Sequence, residues 1–277
     1  MKLHRLPLFL ACCLIFTLAA CNLVHTQAPN QTETELQAQE TKTKTTQRTP
    51  ISQIQGAQHR SPLEGQTVTN VYGIVTGITG SGFYLQDPKP DLDERTSEGI
   101  FIATQKVSTV KVGDEVLIAS GVVKEFNPAG VGSNSLTITQ IQTNDIYILS
   151  KGNPLPEPIV LGEGGRTIPN QVIANDVNGY AGKSGLFDPQ EDGLDFYESL
   201  EGMRVQVNQA LAVSPTSKYR EVVVVADKGK DATVLSSRGV LVIRPDDFNP
   251  ERILIDDVFI NIPEIQVGAL FNQPIVG

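Results

Sequence analysis

From Gln66 to Thr79 the chain reads QTVTNVYGIVTGIT, rich in Val, Ile and Thr and interrupted by Gly73 and Gly77. β-Branched residues fit a pleated strand, and glycine inside a strand marks a bend, a bulge or a close backbone approach. Four more such runs follow, at 82–86, 98–103, 115–126 and 136–149, separated by Gly, Pro and Asp turns. No long stretch between 51 and 277 carries a helical apolar period, so this region is predicted to be all-β, built from several short strands.

A long first strand bent at glycine, then a hairpin and two more strands, suits an OB-like five-stranded barrel over 51–150. A β-sandwich is the alternative, because strand count alone does not separate the two. An internal repeat favours the barrel. Pro62-Leu63-Glu64-Gly65 leads into the first long strand, and Ser199-Leu200-Glu201-Gly202 leads into MRVQVNQALAVSPT. VKVGDEVLIASGVV at 110–123 is matched by IQVGALFNQPIVG at 265–277. Residues 199–277 therefore read as a second, incomplete OB-like unit. Its "VG" turn comes at Val267-Gly268, nine residues before Gly277. Most of a fourth strand and all of a fifth are expected to be missing, as in a fragment of a longer protein; a naturally partial unit is the alternative. The Pro- and Gly-rich segment 151–198 is read as a connector, with a short strand or turn at 172–176 and a helical turn at 196–200.

The first residues are not fold. Lys2 and Arg5 precede an apolar run, Pro7 to Ala20, too short for a membrane span and typical of a secretory signal. It ends Leu18-Ala19-Ala20-Cys21, which resembles a bacterial lipobox, so 1–20 is predicted to be a lipoprotein signal peptide and Cys21 the lipidated residue. Asn22 in place of Asp implies, by resemblance to Gram-negative lipoproteins, an outer-membrane destination. From 21 to 50 the chain is Gln, Thr, Glu and Lys with few aliphatics, and it is expected to be a disordered tether. All three cysteines lie at or before position 21, leaving none for a disulfide or thiolate metal site.

The leader carries two basic residues and no acidic ones, which leaves 20 basic against 31 acidic residues, a formal −11. That charge opposes generic attraction to nucleic acid or anionic lipid, so polyanion binding would need a local patch. Lys218-Tyr219-Arg220, in the loop after the second unit's first strand, and Lys228 supply one. Tyr84 and Phe101, on strands two and three of the barrel, could stack bases. The plainer reading is a packed tyrosine and ordinary surface cations.

Two acidic loops are candidate ion sites. Asp87, Asp91 and Asp93 sit between strands two and three, where clustered oxygens would suit Ca²⁺. Pro88 and Pro90 intervene and no central glycine is present, so a solvated connection is the plainer reading. Asp188-Pro189-Gln190-Glu191-Asp192-Gly193-Leu194-Asp195 repeats the theme. Catalysis finds no support: His59 is the single histidine after residue 50, and no G-x-S-x-G or nucleophilic cysteine occurs. The adjacent pairs Asp246-Asp247 and Asp256-Asp257 would point to opposite faces of a strand.

Taken in order, SPLEGQTVTNVYGIVTGI, GFYLQDPKPDLDERTSEGIFI, VKVGDEVLIASGVVKEF, LEGMRVQV, YREVVVVAD and NPERILIDD resemble the OB-fold region of large bacterial extracellular nucleases. In that family this region precedes an endonuclease/exonuclease/phosphatase domain. The resemblance covers nearly all of 51–277. It implies a non-catalytic accessory portion whose nuclease, dependent on Mg²⁺ or another divalent ion, lies beyond Gly277. No catalytic residue transfers to this chain. The implied partners are a membrane, through lipid on Cys21, and single-stranded or duplex nucleic acid. The alternative is a stand-alone structural or protein-binding envelope lipoprotein, with Ca²⁺ as its candidate ion.

Overall fold

A computed structural model describes residues 47–130, 132–176 and 185–277. The predicted signal peptide, Cys21 and the tether up to residue 46 lie outside the described residues. Residues 47–50, read as the tether's end, lie against the barrel: Arg48 pairs with Asp87, and Thr49 Oγ1 donates to the Thr69 carbonyl at 2.9 Å.

The predicted barrel is present. Helix α1 (Ile51–Gln55) is followed by β1 (Thr67–Ile78), β2 (Gly82–Gln86), β3 (Gly99–Ala103), β4 (Glu115–Phe126) and β5 (Ile138–Ser150). The strands close in the order β1-β2-β3-β5-β4, with β4 returning to β1 and β3 running parallel to β5. That is OB topology, and it excludes the β-sandwich. Period-two alternation sends Val71, Val75, Phe83, Leu85, Ile100, Ile102, Val116 and Ile118 inward, all at 0% exposure. Ile51 and Ile54 of α1 join that core, both fully buried. The register of β1 slips between Val75 and Gly77, a bulge that bends this long strand from β4 onto β2.

The second unit contains β6 (Ile159–Leu161), helix α2 (Gly193–Glu198), β7 (Val205–Val207), β8 (Leu211–Ala212), β9 (Val222–Val225), β10 (Ile253–Ile255) and β11 (Ile275–Val276). They form two three-stranded sheets, β11-β7-β6 and β10-β9-β8. Its core gathers Leu161, Phe196, Val207, Ala212, Val222 and Val224.

The repeat is visible in backbone geometry. Glu64 N–H donates to the Ser61 carbonyl and Gln66 N–H to Leu63; Glu201 and Met203 do the same to Glu198 and Leu200. Gly113 and Gly268 both have φ 86°, a left-handed turn that favours glycine. Gly113 N–H donates to the Val75 carbonyl at 2.9 Å, and Gly268 N–H to Ala212 at 2.8 Å. The return bonds, Val75 to Asp114 and Ala212 to Ala269, are both 2.9 Å. β7 plus β8 thus repeat β1, β9 repeats β2 and β10 repeats β3.

This corrects the expectation about strand four. The residues after Gly268 run antiparallel along the whole repeat of β1: Leu270 faces Leu211, Ile275 faces Val207, and Gly277 exchanges two hydrogen bonds with Val205. Nine residues suffice because the part of β4 that pairs with β1 is itself short. Among the described residues no strand takes the place of β5. The predicted connector also contributes to the second unit: β6 pairs parallel with β7, while 172–176 forms bends rather than a strand.

Candidate functional site

The second unit docks on the barrel through the loop that opens its repeat. Gly99 in β3 lies against Gly202 so closely that a Cβ on Gly99 would fall 2.2 Å from the Gly202 carbonyl carbon. Polar contacts fix the join. Ser97 Oγ donates to the Glu201 carbonyl at 2.6 Å, and Arg204 N–H donates to Gln86 Oε1 at 2.9 Å. Glu201 Oε1 accepts from Thr139 N–H at 2.9 Å and Gln55 Nε2 at 3.3 Å. Beside this seam the half-exposed Phe259 touches the barrel's β2–β3 face: its ring meets Tyr84 edge-on at 6.2 Å, and Tyr84 meets Phe101 at 5.1 Å. A cleft of about 370 Å³ remains, lined by Thr76, Tyr84, Leu155, Arg204, Phe259 and Gly277.

Tyr84 and Phe101 lie on β2 and β3, face each other across the pair, and form an aromatic trio completed by Phe259. Of the basic trio, Arg220 is committed: its guanidinium binds Glu264 at 2.8 Å, Asn261 at 3.0 Å and the Ile262 carbonyl. Lys218 lies over the ring of Tyr219, which is 65% exposed. Lys228 sits apart, after β9, with a left-handed φ of 58°.

Asp87, Asp91 and Asp93 do not converge on one point. Asp87 binds Arg48 and caps the Lys89 N–H at 3.0 Å. Asp91 Oδ1 accepts the Asp93 N–H at 2.8 Å, and Asp93 chelates Arg95, which holds its carboxyl down at about 2. Each carboxylate caps a backbone N–H two residues on. Glu98 is buried like Asp87, and desolvation pushes it up to about 7, although it accepts the Asp91 N–H at 2.8 Å.

The seam holds further acids that sequence reading did not single out. Burial pushes Glu198 up to about 9 and Glu201 up to about 8, with Glu125 adding repulsion to both. Glu125 itself accepts from Ser61 N–H at 2.7 Å and from the hydroxyls of Thr137 at 2.5 Å and Thr139 at 3.0 Å. His59, the single histidine after residue 50, contacts Asp195 Oδ1 of the second unit at 2.6 Å and meets the ring of Phe187 edge-on at 5.5 Å. Asp195 belongs with Asp188 and Asp192 to the one group of three or more metal-capable side chains among the described residues. Of the adjacent pairs, Asp247 is buried and accepts from Thr233 Oγ1 and the Asn249 N–H.

A family model described as a domain of unknown function (DUF8508) matches residues 160–277, which spans the second unit from β6 onward. No curated protein and no solved structure matches the chain.

Proposed function

We propose that this chain is the non-catalytic accessory portion of a secreted, envelope-anchored nuclease, a double OB-type module that spaces and orients a catalytic domain. One observation carries the reading. Part of the β2–β3 face, which a lone OB barrel offers to its ligand, is here taken up by the second unit: Gly202 lies on Gly99, the Arg204 N–H bonds Gln86, and Phe259 meets Tyr84 edge-on. A face used to join two units makes a rigid strut. The acidic balance and the engagement of Arg220 agree with a spacer better than with a carrier of nucleic acid.

Two measurements test it. Fluorescence anisotropy with labelled single-stranded and duplex oligonucleotides is expected to show no binding tighter than roughly 10⁻⁴ M at physiological salt, the weak end of non-specific affinity. Tight binding lost in Lys218→Ala/Tyr219→Ala would replace the spacer by a nucleic-acid platform. Sequencing of the gene past the codon for Gly277 is expected to reveal a frame encoding a divalent-metal nuclease. Unrelated genes there would leave the second reading, a stand-alone structural or protein-binding envelope lipoprotein. Anchoring is tested separately by Cys21→Ser, expected to abolish incorporation of labelled fatty acid.

A further inference from the structure

The loop 188–195 folds back on itself. The N–H groups of Glu191 and Asp192 both donate to the Asp188 carbonyl, at 3.0 and 3.1 Å, and the Asp188 N–H donates to Asp195 Oδ2 at 2.8 Å. This turn brings three carboxylates together, with one ligand oxygen of each lying within 4.8 Å of the others. Asp192 is 1% exposed, and its Oδ1 meets no hydrogen-bond donor; Asp188 Oδ1 is likewise buried and unpartnered. Of the other oxygens, Asp192 Oδ2 accepts the Asn175 N–H at 3.2 Å, and Asp195 Oδ1 faces His59.

Buried carboxylate oxygens without donors are costly, and three acids at this spacing repel one another. Desolvation first, then the neighbouring acids, raises the carboxyls of Asp188 and Asp192. A cation between them would relieve both penalties. The donors are all hard oxygens, and no cysteine occurs among the described residues, which favours an alkaline-earth ion over zinc or copper. Calcium accepts an irregular shell of six to eight oxygens completed by water and backbone carbonyls, whereas magnesium requires a near-ideal octahedron.

We infer that Asp188, Asp192 and Asp195 form a calcium site. The ion would do more than order a loop. Asp195 is the residue that holds His59, and His59 precedes β1, so a bound ion stiffens the link between the second unit and the barrel. No step depends on the nuclease reading, and oligonucleotide binding is blind to this site.

The test adds calcium to the full chain in chelator-stripped buffer, followed by calorimetry and thermal melting. One ion per chain is expected, with an upward melting shift that saturates by about 10 mM, ten-fold above the weak end of the range for extracellular calcium modules. EDTA should reverse the shift. Asp192→Asn should lose both binding and shift, while melting in EDTA no lower than the parent. If that variant fails to fold, Asp188→Asn, at a less buried position, reads the same site. Asp91→Asn should bind as the parent does. Absence of heat and shift at about 10 mM overturns the site. So does undiminished binding in both Asp192→Asn and Asp188→Asn, and an equal response to magnesium overturns the choice of calcium.

Discussion

The barrel and the second unit begin alike and end differently. Each starts with a helical turn and an LEG loop, lays down a first strand (unbroken in the barrel, divided into β7 and β8 in the second unit), and returns through a VG turn whose glycine has φ 86°. The barrel then adds β5, which joins β3 to β4 and seals the core. In the second unit the strands corresponding to β3 and β4 meet no such partner among the described residues, and Leu254, Val258, Ile260 and Val276 stand exposed. The β2–β3 connection differs too: 87–98 in the barrel, against 226–252 in the second unit. A shared preface sets where strands start, whereas closure decides how much apolar surface leaves water.

Core truncation is the sharpest way to break this comparison. Phe83→Ala removes a side chain enclosed on all sides and should cost toward the upper end of the about 3–5 kcal/mol usual for a buried phenylalanine. Phe196→Ala, beside the partly buried Tyr197 and under the Arg166 guanidinium, should cost toward the lower end, since its surroundings can collapse. Equal losses in urea denaturation would mean that closure confers no extra rigidity.

Next in size is the join. Gly99→Val places carbon where the Gly202 backbone lies and should destabilise by about 1–3 kcal/mol. Melting should then split into two transitions, the barrel outlasting the second unit. Gly80→Ala, with open space around it, is the control and should melt as the parent does. A single cooperative transition in Gly99→Val would show that the units are held elsewhere.

A smaller, pH-dependent effect comes from the seam's acids. Glu98, Glu201 and Glu198 are raised to about 7, about 8 and about 9 in the fold, above the usual 4.5. Between 4.5 and those values the unfolded chain has lost protons that the folded chain keeps, so stability falls as pH rises. Melting temperature should be highest near the acidic end of that window and decline up to about pH 9. Glu198→Gln should flatten the upper part of the decline; a profile that rises with pH would contradict this. The smallest effect is Asp93→Asn. Its carboxyl and Arg95 are solvent-screened, so its melting point should stay within error of the parent's.

The strands were legible because alternation and turn residues are local signals. The predicted run 82–86 matches β2 and 115–126 matches β4. The VG glycine was legible because its left-handed φ restricts the residue. The join was not legible. Gln86 meets Arg204, Gly99 meets Gly202, and His59 meets a carboxylate 136 residues away, none of which leaves a mark in nearby sequence. Charge counting also could not reveal that Glu264 and Asn261 fold back onto Arg220. Between the two acidic loops, spacing gave no ranking. Burial did: the carboxylates at 87–93 satisfy their own turns, while Asp192 has an oxygen left over.

The notch at Gly99 also sets an order of assembly. During synthesis the barrel through β5 leaves the ribosome before residue 202 does, and N-terminal domains generally fold first. The seat for Gly202 is therefore finished when its occupant emerges. An LEG loop pressed into that seat fixes where β7 starts, and β7 in turn is the strand on which β6 and β11 pair. The first copy of the repeat thus acts as a mould for the second, so damage to the barrel should reach residues that never touch it.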